Sequence, residues 1–153
     1  MKYWLMKSEP EAYSIEDLRR DKKTAWEGVR NFQARNYMRD EMKEGDKVIF
    51  YHSSCNPPEA VGEGRVCSPA YPDKSQFDAK SDYFEPRATK EKPYWHLVDI
   101  CYVNTFKRMV TLDEMRKEPS LKGMLLLQPG SRLSVMPIEK EHYEKIIKLA
   151  GIA

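Results

Sequence analysis

The sequence predicts an α+β domain in which short helices flank a small curved or partly closed sheet. The chain has 153 residues, the length of about one domain. Strand-like apolar runs recur along it, and helical patterns fall between clusters of these runs instead of following each strand in turn. We therefore expect one domain over residues 1–153, with mixed strands and not a regular parallel sheet.

The first part of the chain predicts two strands and two helices. The apolar run 3–6 predicts a buried first strand. Ser14 and Asp17 have the spacing of a capping box, so a helix is expected over 15–20, followed by a solvated basic turn. Asn31 is a suitable N-cap for a second helix over 32–43. The next strand is expected over 47–52.

Strands also dominate the second part of the chain. Apolar runs predict three more of them, over residues 60–67, 95–106 and 133–137. Segment 68–92 is polar and contains prolines, so we expect a long surface excursion with brief strand pairing near Tyr83 and Phe84. The two remaining helical patterns cover residues 112–118 and 143–150.

Composition excludes several classes of protein. Lys and Arg number 26 and Asp and Glu 24, so the net charge of +2 excludes a polycation held on nucleic acid by bulk charge. No apolar run approaches the ~18 residues of a membrane helix. Cys55, Cys67 and Cys101 are odd in number and widely spaced, so we expect free thiols in a reducing compartment. The histidines are scattered, and we expect neither a metal nor a cofactor.

The densest group of candidate site residues is the stretch 26–35. It contains a glycine free to adopt a positive φ, a tryptophan, two arginines and a helix start capped by Asn31. Arg30 and Arg35 carry forked donors that suit phosphate groups or planar bases. This pattern predicts a nucleotide or phosphate site. The alternative is a core tryptophan beside a capped helix and two solvated arginines.

Two further groups follow predicted strand ends, where a rigid scaffold positions a loop for binding. Lys7, Ser8 and Glu9 follow the first strand and could read the edge of a base, or form a plain turn. His52 stands beside Ser53, and an enzyme could use it as a general base for that serine or for the nearby cysteine. No glycine-flanked elbow surrounds the serines, so we favour a polar histidine beside a binding pocket.

These motifs together resemble the EVE domain. The matching segments are, in order, 4–10, 13–14, 26–35, 38–39, 45–46, 51–53, 61–62 and 132–137. They cover nearly the whole chain, and the run GVRN at residues 28–31 is the most specific of them. The EVE domain belongs to the PUA-like superfamily and is related to YTH domains and to thymocyte nuclear protein.

The resemblance implies a PUA-like mixed β pseudo-barrel flanked by short helices, with a pocket for a nucleobase. The implied ligand is DNA or RNA with a modified base, which leaves the stack and is held between aromatic or apolar faces. The implied pocket residues are Lys7, Ser8, Glu9, Trp26, Val29, Arg30, Asn31, Arg35, Tyr51, His52 and Ser53.

Their expected roles differ by chemistry. Trp26 and Val29 would contact the face of the base, where a good stack contributes ~1–3 kcal/mol. The polar edge of the base would contact Ser8, Glu9 and Asn31. The phosphate would contact Lys7, Arg30 and Arg35. The other tryptophans, Trp4 and Trp95, are expected in the core.

Three functions therefore stay open. The preferred one is a non-enzymatic reader of a modified base; the alternatives are a general RNA-binding module without base selectivity and a small hydrolase that uses His52. The resemblance implies no enzymatic step. The chain begins almost at its first predicted strand, without the basic N-terminal region of eukaryotic relatives. We therefore expect a monomeric, cytoplasmic and bacterial protein without a membrane partner, nuclear only if it is eukaryotic.

Overall fold

Residues 1–130 and 132–152 are described by the structure, a computed structural model. The strands are β1 (Tyr3–Ser8), β2 (Lys23–Ala25), β3 (Lys47–His52), β4 (Glu59–Val66), β5 (Tyr71–Pro72), β6 (His96–Leu97), β7 (Asp99–Thr111) and β8 (Val135–Ile138). The helices are α1 (Ile15–Asp21), α2 (Phe32–Asn36), α3 (Leu112–Lys117) and α4 (Lys140–Leu149). Short 3-10 turns cover Lys74–Phe77, Pro119–Leu121 and Leu125–Leu127.

Six strands form one mixed sheet in the order β2-β7-β4-β3-β1-β8, and β5 and β6 form a separate two-stranded ladder. Only the neighbouring strands β1 and β3 are parallel among the paired strands of the described ranges. Register shifts in the β3–β4 and β4–β7 pairings interrupt the ladder. Such irregularities bend and twist a sheet. The α+β class predicted from the sequence is confirmed, with short helices around a mixed sheet.

Apolar side chains cover both faces of the central strands. Trp4 and Phe50 belong to a core cluster on one face, together with the apolar residues of α1 and the second helix. Leu5 and Ile49 belong to the cluster on the other face, which α3 and α4 cover. Successive side chains of a strand point to opposite faces, so two-sided burial explains the continuous apolar runs of β1 and β3.

The predicted starts of the first two helices are confirmed, whereas the last helix begins at Lys140, three residues before the predicted pattern. Ser14 caps α1 with a full capping box, in which its side chain accepts from the Asp17 N–H and the Asp17 carboxylate accepts from the Ser14 N–H. The Asn31 side chain caps α2 by accepting from the Ala34 N–H. The second helix ends earlier than predicted, because after Asn36 the chain widens into a π-helical turn over Tyr37–Glu41.

The excursion contains less strand than predicted. The expected pairing near Tyr83 and Phe84 is wrong, because their backbone N–H groups donate to Ser81 and form a turn. The observed pairing joins β5 to β6 instead. The three-residue strand β2 begins where the predicted turn after α1 ends, and it pairs with β7.

The expectation of three free thiols is wrong for two of them. Cys67 and Cys101 form a disulfide with Cα atoms 5.9 Å apart, and Cys55 is free. The pairing of β4 with β7 places Arg65 opposite Cys101, so the sheet register brings together two cysteines that lie 34 positions apart in the sequence. Cysteine spacing alone cannot reveal such a contact.

Candidate functional site

An open cavity of about 790 Å³ lies where the parallel strands β1 and β3 end. Its walls come from five parts of the chain: Lys7, Ser8, Glu9, Ala12 and Tyr13; residues 24–30; Ser53 and Ser54; Tyr83; and Arg132 and Ser134. Ligand pockets of proteins have volumes of roughly 300–1,000 Å³, so this cavity has the size of a small-molecule or nucleobase site.

The structure brings most of the predicted site residues to this cavity. The lining includes Lys7, Ser8, Glu9, Trp26, Val29, Arg30 and Ser53. Asn31, Arg35, Tyr51 and His52 are absent from the lining. Both predicted strand ends and the loop before α2 therefore meet in space, although they are far apart in the sequence.

The end of β1 forms one wall of the cavity. The Ser8 hydroxyl donates to the Tyr13 carbonyl at 2.6 Å, and the Ser8 carbonyl accepts from the Ser53 N–H at 3.1 Å. Lys7 is half-buried, which lowers the pKa of its ammonium. Its ammonium has no hydrogen-bond or ion-pair partner among residues 1–130 and 132–152. Lys7 therefore offers a partly desolvated positive charge to an anionic or carbonyl group.

The loop that follows β2 forms the opposite wall. The Trp26 ring is only 8% exposed and packs edge-on against Phe50, with ring centroids 5.5 Å apart. Gly28 adopts a φ of +84°, where a side chain would be strained, and its N–H donates to Asp73. Val29 is half-buried and packs against the core cluster that contains Trp26 and Phe50. This wall is therefore apolar where it meets the core, and the buried Asp73 carboxylate holds its loop in place.

The Arg30 guanidinium forms hydrogen bonds with other residues of the protein. Its guanidinium donates to the Asp73 carboxylate at 3.2 Å, to the Ser75 hydroxyl at 3.1 Å and to the Tyr83 carbonyl at 2.7 Å. Side-chain exposure is 22% for Arg30 and 2% for Asp73. These bonds join the GVRN run to the excursion.

The residues outside the lining support the neighbouring elements. Asn31 caps α2, and Arg35 donates to the Tyr94 carbonyl at 2.7 Å while it lies 4.7 Å from the Phe32 ring centroid. The Tyr51 side chain is buried on the far face of the sheet, and this burial raises its pKa to about 12. These positions hold the scaffold that surrounds the cavity.

His52 also contacts the scaffold. Its Nε2 atom accepts a hydrogen bond from the Ile15 N–H at 3.1 Å, at the first turn of α1. Burial lowers the pKa of His52, which is consistent with a neutral ring that carries its proton on Nδ1. The lone pair that a general base would need is therefore occupied.

No group of metal-ligating side chains occurs within the described ranges. Among the residues that the structure describes, none of the helices has the length and apolar character of a membrane span.

Comparison with known proteins identifies the family. The EVE domain model matches residues 2–149. The chain belongs to the EVE domain family. Rat thymocyte nuclear protein 1 is 39% identical over 166 residues, which cover 96% of this chain and 73% of that protein.

Solved structures of EVE domain relatives share the fold. A Pseudomonas syringae protein is 47% identical, with a TM-score of 0.92 and coverage of 97% of this chain and 99% of that one. The human THYN1 protein, crystallised in complex with DNA that contains 5-methylcytosine, is 35% identical with a TM-score of 0.91. That match covers 100% of this chain and 99% of the other. The EVE and PUA-like fold implied by the sequence motifs is confirmed.

Sequence reasoning missed two residues of this EVE domain that shape the cavity. Asp73 and Tyr83 both come from the excursion, which has no periodic pattern and whose polar sequence predicts only a surface segment. A weak signal existed for Asp73, because an arginine in a glycine-containing loop needs an acidic partner when it is buried. No local signal pointed to Tyr83.

Proposed function

We propose that this EVE domain binds nucleic acid and holds one modified base in the cavity at the ends of β1 and β3. The observation that carries the proposal is a base-sized cavity built from the EVE motifs, in a fold that matches human THYN1 bound to DNA with 5-methylcytosine. A base can enter such a cavity only after it leaves the stack.

The chemistry of the walls supports a base as the ligand. Val29 and the edge of Trp26 supply apolar surface, while Ser8 and Ser53 supply polar atoms for the edge of the base. The unpartnered ammonium of Lys7 suits a base carbonyl or a phosphate oxygen. The net charge of +2 predicts modest affinity for unmodified strands, so tight binding must come from the base.

The proposal includes no chemical step. The Nε2 lone pair of His52 is used by the Ile15 N–H, and this bond would have to break before His52 could act as a base. Burial raises the pKa of the Cys55 thiol, which disfavours the nucleophilic thiolate. We also propose that the chain acts as a monomer in the cytoplasm.

The test is a binding panel of short oligonucleotides that differ in one base. Fluorescence anisotropy with matched DNA and RNA strands, each with cytosine or 5-methylcytosine at the central position, should give a lower Kd for one modified strand. Lys7→Met should weaken binding, whereas Lys140→Met removes the same charge from an exposed position away from the cavity and should leave the Kd unchanged within about twofold.

Two outcomes would contradict the proposal. Equal binding to every strand with a steep salt dependence would favour a general RNA-binding module, because counterion release carries no base selectivity. Equal affinity of the Lys7→Met protein and the wild type for the modified strand would remove Lys7 from the site.

A further inference from the structure

The aromatic surface of the cavity differs from the one that the sequence predicts. Trp26 is 8% exposed and its ring packs against Phe50, so it offers a base little stacking area. Tyr13 also lines the cavity, but it is partly buried and its hydroxyl donates to Asp21. Tyr83 is 46% exposed and is the most accessible aromatic side chain of the lining.

The Tyr83 ring lies directly on the GVRN run. A Cβ atom added to Gly28 would lie 2.8 Å from Cζ of Tyr83. The ring therefore packs against the Gly28 backbone, and any larger residue at position 28 would displace it. The Arg30 guanidinium lies over the same ring, 5.3 Å from its centroid. These two contacts place the ring at the wall of the cavity, although nearly half of the surface of Tyr83 stays accessible.

Arg30 fixes Tyr83 through the main chain as well. Its Nε and Nη2 atoms donate to the Tyr83 carbonyl at 3.3 and 2.7 Å, and Asp73 and Ser75 hold the rest of the guanidinium. All three kinds of guanidinium nitrogen are therefore engaged within the protein. This arrangement suits a residue that positions its neighbour better than one that binds phosphate.

We propose that Tyr83 is the aromatic ring on which the bound base stacks, and that Arg30 is the positioning residue that holds it there. The inference rests on the proposed function and names the residue on which the base stacks. It also gives the excursion, which sequence motifs leave unassigned, a part in ligand binding. Because every base has a π face, Tyr83 sets how strongly a base is held, and the polar atoms of the cavity set which base is chosen.

Substitutions of Tyr83 test this role in the wild-type background with the 5-methylcytosine oligonucleotide and its unmodified match. Tyr83→Ala should raise the Kd for the modified strand by about 5- to 150-fold, the range measured for loss of a base–aromatic stack. Tyr83→Leu keeps apolar bulk without a ring and should bind as weakly. Tyr83→Phe keeps the ring and should stay within about twofold of the wild type.

Phe84→Ala is the matched control. Phe84 is 41% exposed and next in the chain, but it is not part of the cavity lining, so its removal should leave the Kd unchanged. Equal unfolding midpoints in urea for these variants would exclude loss of fold as the cause of weaker binding.

The role of Arg30 is tested with a double-mutant cycle. If Arg30 acts by holding Tyr83, Arg30→Lys should weaken binding in the wild type and have little further effect in the Tyr83→Ala protein. Additive losses would mean that Arg30 contacts the nucleic acid itself, which contradicts the positioning role.

The failure of this inference can be distinguished from failure of the proposed function. If the wild type binds the modified strand selectively but Tyr83→Ala binds equally well, the stacking role of Tyr83 is wrong and the base site stands. If the wild type shows no preference for any modified strand, the proposed function fails and the role of Tyr83 fails with it.

Discussion

Removal of the Asp73 carboxylate is expected to destabilise the loop that forms one wall of the cavity. Asp73 accepts hydrogen bonds from the Gly28 N–H at 2.8 Å, the Ser75 N–H at 2.9 Å and the Arg30 guanidinium at 3.2 Å. Burial alone would raise the pKa of Asp73, but the bonds from Ser75, Gly28 and Arg30 outweigh it and lower the pKa. The carboxylate is therefore ionised at neutral pH.

The size of the expected destabilisation follows from the burial of the Arg30–Asp73 ion pair. Removal of one partner from a buried ion pair costs about 3–5 kcal/mol, because the other charge stays uncompensated. Arg30 keeps 22% of its side chain exposed and retains the carbonyls of Val29 and Tyr83 as acceptors, which reduces this penalty. We expect Asp73→Ala to lower the free energy of unfolding by about 3 kcal/mol, and the Tm by about 6–12 °C.

Urea denaturation followed by circular dichroism measures this loss. Asp82→Ala removes the same charge from an exposed position of the same excursion and should change the free energy of unfolding by less than about 0.5 kcal/mol. Because the folded pKa of Asp73 lies below its ordinary value of 3.8, its contribution is complete above that pH and is lost only as the pH falls further. An Asp73→Ala protein as stable as the Asp82→Ala control would show that the Asp73 bonds do not stabilise this loop.

One pH titration and two substitutions test other parts of the structure. Burial lowers the pKa of His52 below 6.5, so the buried neutral ring contributes to the free energy of unfolding above that pH, and this contribution is lost as the pH falls below it. An NMR titration that gives a pKa of 6.5 or more would contradict the assignment of His52 as a neutral hydrogen-bond acceptor. Gly62→Ala would place a Cβ atom 2.6 Å from the Asn104 carbonyl, so the free energy of unfolding should fall by roughly 1–3 kcal/mol; an unchanged urea midpoint would argue against this packing. Cys101→Ser opens a loop closed over 34 positions and should cost the oxidised protein about 3–4 kcal/mol; three reactive thiols in the unfolded wild type would disprove the disulfide with Cys67.

Local signals in the sequence account for most of the secondary structure. Strand β3 and the starts of α1 and α2 are predictable because apolar runs and capping residues act over a few positions. Strand β2 is not, since three residues carry no periodicity and only the edge of β7 makes them a strand. The Cys67–Cys101 disulfide is hidden for a similar reason, because it depends on the register of β4 against β7.

The residues of the candidate site likewise fall into those that local sequence patterns predict and those that depend on long-range contacts. The walls that carry EVE motifs were predictable, and Ser8 and Val29 line the cavity as expected. Asp73 bonds to the lining residue Gly28 over 45 positions of sequence, and Tyr83 lines the cavity and bonds to Arg30 over 53 positions, contacts that no local pattern encodes. The same contacts explain why Arg30 carries no free donor for phosphate, a property that residue type alone could not reveal.

A backbone NMR titration with a single-stranded oligonucleotide that contains one 5-methylcytosine tests whether a base binds at the ends of β1 and β3. We expect the largest chemical-shift changes to fall on Ser8, Gly28, Val29, Ser53 and Tyr83, and to exceed those caused by the unmodified strand. Changes centred on α4 at the far face of the sheet, or equal changes with both strands, would contradict this expectation.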